Sequence, residues 1–119
     1  MSIHTDDKEL LKKAAEAAGY KAEWREWVTS RVAEFAMIKN VKYEGFWIDG
    51  KLWNPLTDDG DALRLAVKLG QCVTIEGHGR TVAISVTGFE CEEINRDNPY
   101  AATRRAIVRA AAEIGKGMK

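Results

Sequence analysis

Three aspartates, Asp58, Asp59 and Asp61, surround Gly60 where an apolar helical pattern begins. Clustered carboxylates bind hard cations, and a pair of them can serve as general acid and base. A calcium loop needs ligands at alternate positions and a distal bidentate glutamate, and this stretch lacks that spacing. We therefore predict that Thr57 or Asp58 caps a helix and that the other carboxylates interact with its dipole.

A second cluster that could do chemistry is basic, since Arg104, Arg105 and Arg109 lie in a strongly helical segment. Residues 96–119 hold six basic groups against two acidic ones, so this end of the chain is locally positive. Such a helix face can bind the phosphates of a nucleotide or a nucleic acid. The commoner arrangement is a solvated face or pairing with glutamates of the preceding segment, and the sequence leaves both open.

The histidines and cysteines form no recognisable site. His78 lies between two glycines at a predicted turn, where a solvated side chain is usual, and His4 lies near a terminus. Cys72 and Cys91 are predicted to be reduced, half-buried thiols in neighbouring strands. No histidine–cysteine pair has zinc spacing and no nucleophile–base pair is evident, so we predict no catalytic residue, no metal and no cofactor.

Four tryptophans in 119 residues are the remaining candidates for function. Trp24, Trp27, Trp47 and Trp53 can form an apolar layer over a sheet. Alternatively, one or two of them stay exposed as anchors of a protein interface, where tryptophan is enriched. Homodimer formation would bury an apolar patch of this kind, and we favour that interpretation.

Three helices are predicted to position these residues, and the first two have clear end signals. The first begins at Thr5 or Asp6 and ends at Gly19. The second covers residues 58–69 and is closed by Gly70.

The third helix has the most complete set of end signals. Asn98 caps it, Pro99 occupies the first turn, where its missing N–H costs nothing, and Gly115 is predicted to end it. Asn54 and Pro55 repeat the same dipeptide before the second helix. We interpret the repeat as shared helix-end chemistry rather than as a duplication.

Strands are predicted between the helices. Asp49 and Gly50 stand between two apolar triplets and predict a hairpin, because both central residues of such a turn need positive φ. Residues 72–76 and 80–88 alternate as two strands, and the segment that follows adds an edge strand. Residues 21–44 are ambiguous between a helix with a wide apolar face and strands.

The order of these elements predicts one α+β domain over residues 1–119, with three helices packed on a mainly antiparallel sheet. A composition of 45% hydrophobic and 30% charged residues is typical of a soluble domain with one modest core. Eighteen basic and 18 acidic side chains cancel, so no global field attracts nucleic acid or membrane. No apolar run resembles a membrane span or a signal peptide, which predicts a cytoplasmic location.

Three segments, "ELLKKAAEAAGY", "WNPLTDDGDALRLAVKLG" and "NPYAATRRAIVRAAAEIG", resemble in content and order the small phage proteins of the ABA sandwich group, akin to the NinX-like family. The resemblance covers less than half of the chain. It implies a helix–sheet–helix (ABA) sandwich and a phage or prophage origin. Residues 21–52 depart from the family's pattern, and a retained sheet would make them strands. The family has no defined molecular activity, so no catalytic residue is carried over.

We therefore expect a small phage or prophage accessory protein in the host cytosol that acts by protein binding and not by catalysis. A homodimer is expected, with a host or phage protein as a further partner. The alternative is nucleotide or nucleic-acid binding through the basic third helix, as in a sponge for a host-defence signal.

Overall fold

The computed structural model describes residues 5–32, 38–76, 79–84, 90–94 and 98–118. Helices and strands follow one another along these residues in the order α1 (Thr5–Ala18), β1 (Glu23–Val32), β2 (Ile38–Ile48), β3 (Lys51–Trp53), α2 (Asp59–Lys68), β4 (Cys72–Glu76), β5 (Arg80–Ile84), β6 (Glu90–Ile94) and α3 (Pro99–Lys116). The α+β class is confirmed.

The described strands form two antiparallel sheets, whereas the sequence analysis expected a single one. Sheet A has the strand order β1-β2-β3, and sheet B has the order β4-β5-β6. Each sheet contains three strands joined to their neighbours in sequence, so local hairpin pairing accounts for both. The ABA layering itself stays a prediction.

Strands, and not a helix, occupy the described part of the ambiguous segment. The β1–β2 register places Trp24 opposite Phe46 and Trp27 opposite Tyr43, so the aromatic residues form cross-strand pairs. Cross-strand aromatic pairs of this kind stabilise antiparallel strands. The turn between β2 and β3 has φ of 50° at Asp49 and 78° at Gly50, as the hairpin prediction required.

Helix α3 lies at the centre of the core. It packs against sheet B and also against α1 and α2, so it is covered on several sides. Its buried residues include five alanines, namely Ala102, Ala106, Ala110, Ala111 and Ala112. Because these side chains are small, the neighbouring helices approach its backbone closely.

Gly115 does not end α3, although the sequence analysis placed the helix end there. The helix continues to Lys116, and Gly117 is its C-terminal cap. A Cβ atom added to Gly115 would lie 2.7 Å from the carbonyl carbon of Lys13 in α1. The glycine is therefore required by the contact between two helix backbones and not by helix termination.

Gly19 and Gly70 follow α1 and α2 with positive φ, as predicted for the residues that end these helices. Helix α1 includes both Thr5 and Asp6, the two residues proposed as its cap.

Candidate functional sites

The aspartates around Gly60 build the start of α2. Asp58 is the N-cap, and its Oδ2 accepts a hydrogen bond from the backbone N–H of Asp61 at 2.8 Å. Asp61 in turn accepts from the N–H of Asn54 at 2.9 Å and from the guanidinium of Arg64 at 2.8 Å. The carboxylates of Asp58 and Asp61 therefore accept hydrogen bonds that stabilise the start of α2.

A cleft of about 830 Å³ opens beside this helix start, in the size range of ligand pockets. Tyr20, Trp53, Asp58, Asp61 and Arg64 are among its lining residues. Arg64 lies 2.8 Å from Asp61 and 3.8 Å from Asp58, so these charged groups neutralise one another. Across the described residues, no three acidic, histidine or cysteine side chains are grouped to hold a metal ion.

Asp58→Ala is expected to lower the free energy of unfolding by about 1 kcal/mol, because an acceptor for the first turn of α2 is lost. Asp58→Asn is the matched control, since asparagine caps helices as well as aspartate. Urea denaturation of the three proteins measures the difference. Equal losses in both variants would mean that the negative charge, and not the capping hydrogen bond, stabilises the helix.

The first arginine of α3, Arg104, joins α3 to the start of α2. Its Nε donates to the carbonyl oxygen of Leu56 at 2.8 Å, and its Nη1 donates to the Asp59 carboxylate at 2.6 Å. The side chain is only 16% exposed. Arg104 therefore links α3 to the start of α2 through hydrogen bonds of a largely buried side chain. Binding a phosphate would require breaking these hydrogen bonds.

The other two arginines are also paired within the chain. Arg105 donates to the carboxylate of Asp7 in α1 at 3.0 Å. Arg109 donates to the carbonyl oxygen of Glu92 at 3.0 Å and to the carboxylate of Glu93. Only Arg109 therefore pairs with the glutamates that the sequence analysis considered, whereas Arg104 and Arg105 pair with aspartates of α2 and α1. Each arginine of the predicted basic face has an acidic partner within the chain.

The tryptophans separate onto the two sides of sheet A, because side chains alternate along a strand. Trp24 lies on the side that faces the core, where its ring meets Phe46 edge-on at a centroid distance of 4.9 Å. Trp53 lies on the same side, is buried, and meets Tyr20 at 5.9 Å. Three positions along β1 from Trp24, Trp27 lies on the opposite side.

The opposite side of sheet A carries what we call the aromatic face, made of Trp27, Val41, Tyr43, Trp47 and Leu52. The Trp27 ring stacks on Tyr43 at 5.7 Å and meets Trp47 edge-on at 5.6 Å. None of these five residues belongs to the buried core cluster or packs against it. The aromatic face is therefore an apolar surface separate from the core.

Arg25 and Glu23 border the aromatic face. The guanidinium of Arg25 lies 5.4 Å from the centre of the Trp47 ring, a cation–π contact, and donates to the Glu23 carboxylate at 2.9 Å. This hydrogen bond lowers the pKa of Glu23 and raises the pKa of Arg25, so both groups stay charged near neutral pH. The indole N–H of Trp47 is buried without a hydrogen-bond partner among the described residues.

The hairpin that carries the aromatic face extends away from the core. Strands β1 and β2 contact each other along ten register pairs, and no described side chain between positions 25 and 44 belongs to the core cluster. The radius of gyration is 16.0 Å, against about 13–14 Å expected for a compact domain of this length. The aromatic residues are thus presented on a projecting element.

The two cysteines do not lie in neighbouring strands, because β5 lies between β4 and β6. Cys72 is exposed, whereas Cys91 is buried under α3, and this burial raises the pKa of the Cys91 thiol. The predicted turn histidine His78, like His4, lies outside the described residues.

The sequence analysis expected one or two of the four tryptophans to be interface anchors, and the structure divides Trp24, Trp27 and Trp47 between two surfaces. The sequence analysis did not identify Tyr43 and Leu52 as neighbours of Trp27 and Trp47. Period-two alternation would place them on the same side of the sheet as Trp27 and Trp47, but it can be applied only after residues 21–44 are assigned to strands.

No family model, no curated protein and no solved structure matches this chain. The class is an α+β protein with two small antiparallel sheets. The resemblance to phage ABA sandwich proteins stays a prediction. None of the described helices combines the length and apolar character that crossing a membrane requires.

Proposed function

We propose that this protein acts by protein–protein association and that the aromatic face of sheet A is the contact through which two copies form a homodimer. The observation that carries the proposal is an aromatic cluster that lies outside the core on a projecting hairpin. Tryptophan and tyrosine supply a large contact area for few lost rotamers, which is why they dominate binding interfaces.

Charge favours a second copy as the occupant of this face. Glu23 and Arg25 neutralise each other at its border, and the chain as a whole has equal numbers of acidic and basic residues. Two identical neutral patches do not repel each other, and a two-fold axis brings the same patch of each copy together. A strongly charged partner would gain little electrostatic energy from this surface.

The broader assignment belongs to the same proposal. It is a phage or prophage accessory protein of the ABA sandwich group that works in the host cytosol, and it rests on the resemblance of three sequence segments to that group. Nucleic-acid binding through α3 is disfavoured, because Arg104, Arg105 and Arg109 all hold acceptors within the chain.

Trp27→Ser combined with Tyr43→Ser is expected to raise the dimer dissociation constant by about 30-fold or more, since interface tryptophans of this kind contribute about 2 kcal/mol. Light scattering over a range of protein concentrations measures the change. Circular dichroism checks that the variant is folded.

Val28→Ser is the matched control, because Val28 is the residue after Trp27, is 63% exposed and points to the other side of the strand. This variant is expected to dimerise like the unmodified protein. A strictly monomeric unmodified protein at every concentration, or a folded double variant that dimerises normally, would refute the proposal.

A further inference from the structure

A second cavity, of about 450 Å³, lies between α1 and the core-facing side of sheet A. We call it the lysine groove, and its lining includes three lysines and three aromatic residues, Lys8, Lys12, Lys21, Tyr20, Trp24 and Phe46. Helix α1 supplies two of the lysines one turn apart, and the link to β1 supplies the third. The groove therefore combines positive charge with flat apolar surface.

The lysines of the groove have no acidic partner in the part of the chain that the structure describes. None of Lys8, Lys12 and Lys21 forms an ion pair there. The one carboxylate in the lining, Glu16, is held by Lys13 at 3.4 Å. This distinguishes the groove from the cleft beside α2, where Arg64 is already paired with aspartates. An anion entering the groove meets three ammonium groups without having to displace a carboxylate from them.

The aromatic part of the groove is fixed in place. Phe46 is only 4% exposed, and its ring meets the half-buried Trp24 edge-on, which orients the indole. The ammonium of Lys8 lies 4.0 Å from the centre of the Trp24 ring, so this cation covers the ring. A planar group can take that place, because the long Lys8 side chain is able to turn towards a phosphate.

We propose that the lysine groove binds a nucleotide, with the base stacked on Trp24 and the phosphates held by Lys8, Lys12 and Lys21. The cavity volume lies in the range of about 300–1,000 Å³ that small-ligand sites occupy. A free nucleotide and a nucleotide within a single strand present the same base and phosphate chemistry. The groove lies on the other side of sheet A from the aromatic face, so this site does not depend on the homodimer.

The test is isothermal titration of the full protein with ATP, with inorganic tripolyphosphate and with a short single-stranded DNA. ATP or the DNA is expected to bind, and tripolyphosphate is expected to bind at least about fivefold more weakly than the nucleotide probe that binds, since stacking one base contributes about 1–3 kcal/mol. Binding of ATP identifies a free nucleotide as the ligand, whereas binding of the DNA alone identifies a nucleotide within a strand. Tripolyphosphate binding as tightly as the nucleotide probe would overturn the nucleotide assignment.

Lys12→Ala combined with Lys21→Ala is expected to weaken binding of the nucleotide probe at least about tenfold, because two phosphate contacts are lost. The control, Lys51→Ala with Lys68→Ala, changes the net charge equally but removes exposed lysines outside the groove, and it should bind normally. Trp24→Leu should remove the preference for ATP over tripolyphosphate. The proposal is overturned if neither ATP nor the DNA binds, or if the groove variant and the control bind alike.

Discussion

Gly115→Ala is expected to lower the free energy of unfolding by about 3 kcal/mol, the upper end of the usual cost of overpacking. At an exposed helical position the same change would stabilise the protein by about 1 kcal/mol, because alanine favours the helix. Here the new methyl group would lie 2.7 Å from the carbonyl carbon of Lys13 and 3.1 Å from its Cα. These are backbone atoms, so relief requires α1 and α3 to move apart.

Gly117→Ala is the control for this substitution. Gly117 has an ordinary φ of −82°, and a Cβ there would lie 3.5 Å from the carbonyl oxygen of Ile114, an ordinary van der Waals distance. Its unfolding free energy should stay within about 0.5 kcal/mol of the unmodified protein. Urea denaturation of both variants provides the comparison, and a Gly115→Ala protein of undiminished stability would show that α1 and α3 are farther apart.

Leu65→Ala is expected to cost about 2–5 kcal/mol of unfolding free energy, the range measured for emptied leucine sites in cores. Leu65 has 0% exposure and is among the largest fully buried side chains of the described structure. It lies on α2, which packs against α3, and belongs to the buried core cluster, so the lost methyl groups leave a gap in the core.

The same helix provides the control for Leu65. Leu63 lies two positions earlier and is 63% exposed, so Leu63→Ala removes the same atoms from solvent-facing surface. Its expected cost is at most about 0.5 kcal/mol. Thermal and urea unfolding of the pair measure the difference, and similar losses at both positions would contradict the packing of α2 described above.

The sequence was sufficient to predict the helix ends and turns that depend only on neighbouring residues along the chain. Asp58 caps α2 and Asn98 caps α3, each through a side-chain oxygen that accepts from the N–H three residues later. The turn at Asp49 and Gly50 needs positive φ at both positions, which a short sequence window already shows. These features require no knowledge of the remaining chain.

Features set by distant residues were not accessible in this way. Gly115 and Gly117 are the same residue type two positions apart, yet the backbone of α1 lies against Gly115, whereas Gly117 is the C-terminal cap of α3. Similarly, Arg104 was recognisable as basic, but its acceptors are Leu56 in the turn before α2 and Asp59 at the start of α2. A helical wheel gives the direction of a side chain and not the partner it meets.

The two candidate binding surfaces also depend partly on nearby residues and partly on distant ones. The abundance of tryptophan indicated an interface, yet strand alternation decides that Trp27 joins the aromatic face while Trp24 joins the lysine groove. Lys8 and Lys12 belong to a charged helix surface when α1 is considered alone. They become a cation-lined groove only because β1 brings Trp24 within 4.0 Å of Lys8.

The extensive packing of α1 on α3 has a consequence for how the chain acquires its structure. Asp7 and Arg105, which join these helices, are 98 positions apart, so the contact closes most of the polypeptide into one loop. Closing such a loop costs conformational entropy before the contact between α1 and α3 can stabilise the fold. Nonlocal contacts of this kind slow folding. During synthesis on the ribosome, the apolar side of α1 around Leu11 stays exposed until α3 has been made. In that interval chaperones can bind it.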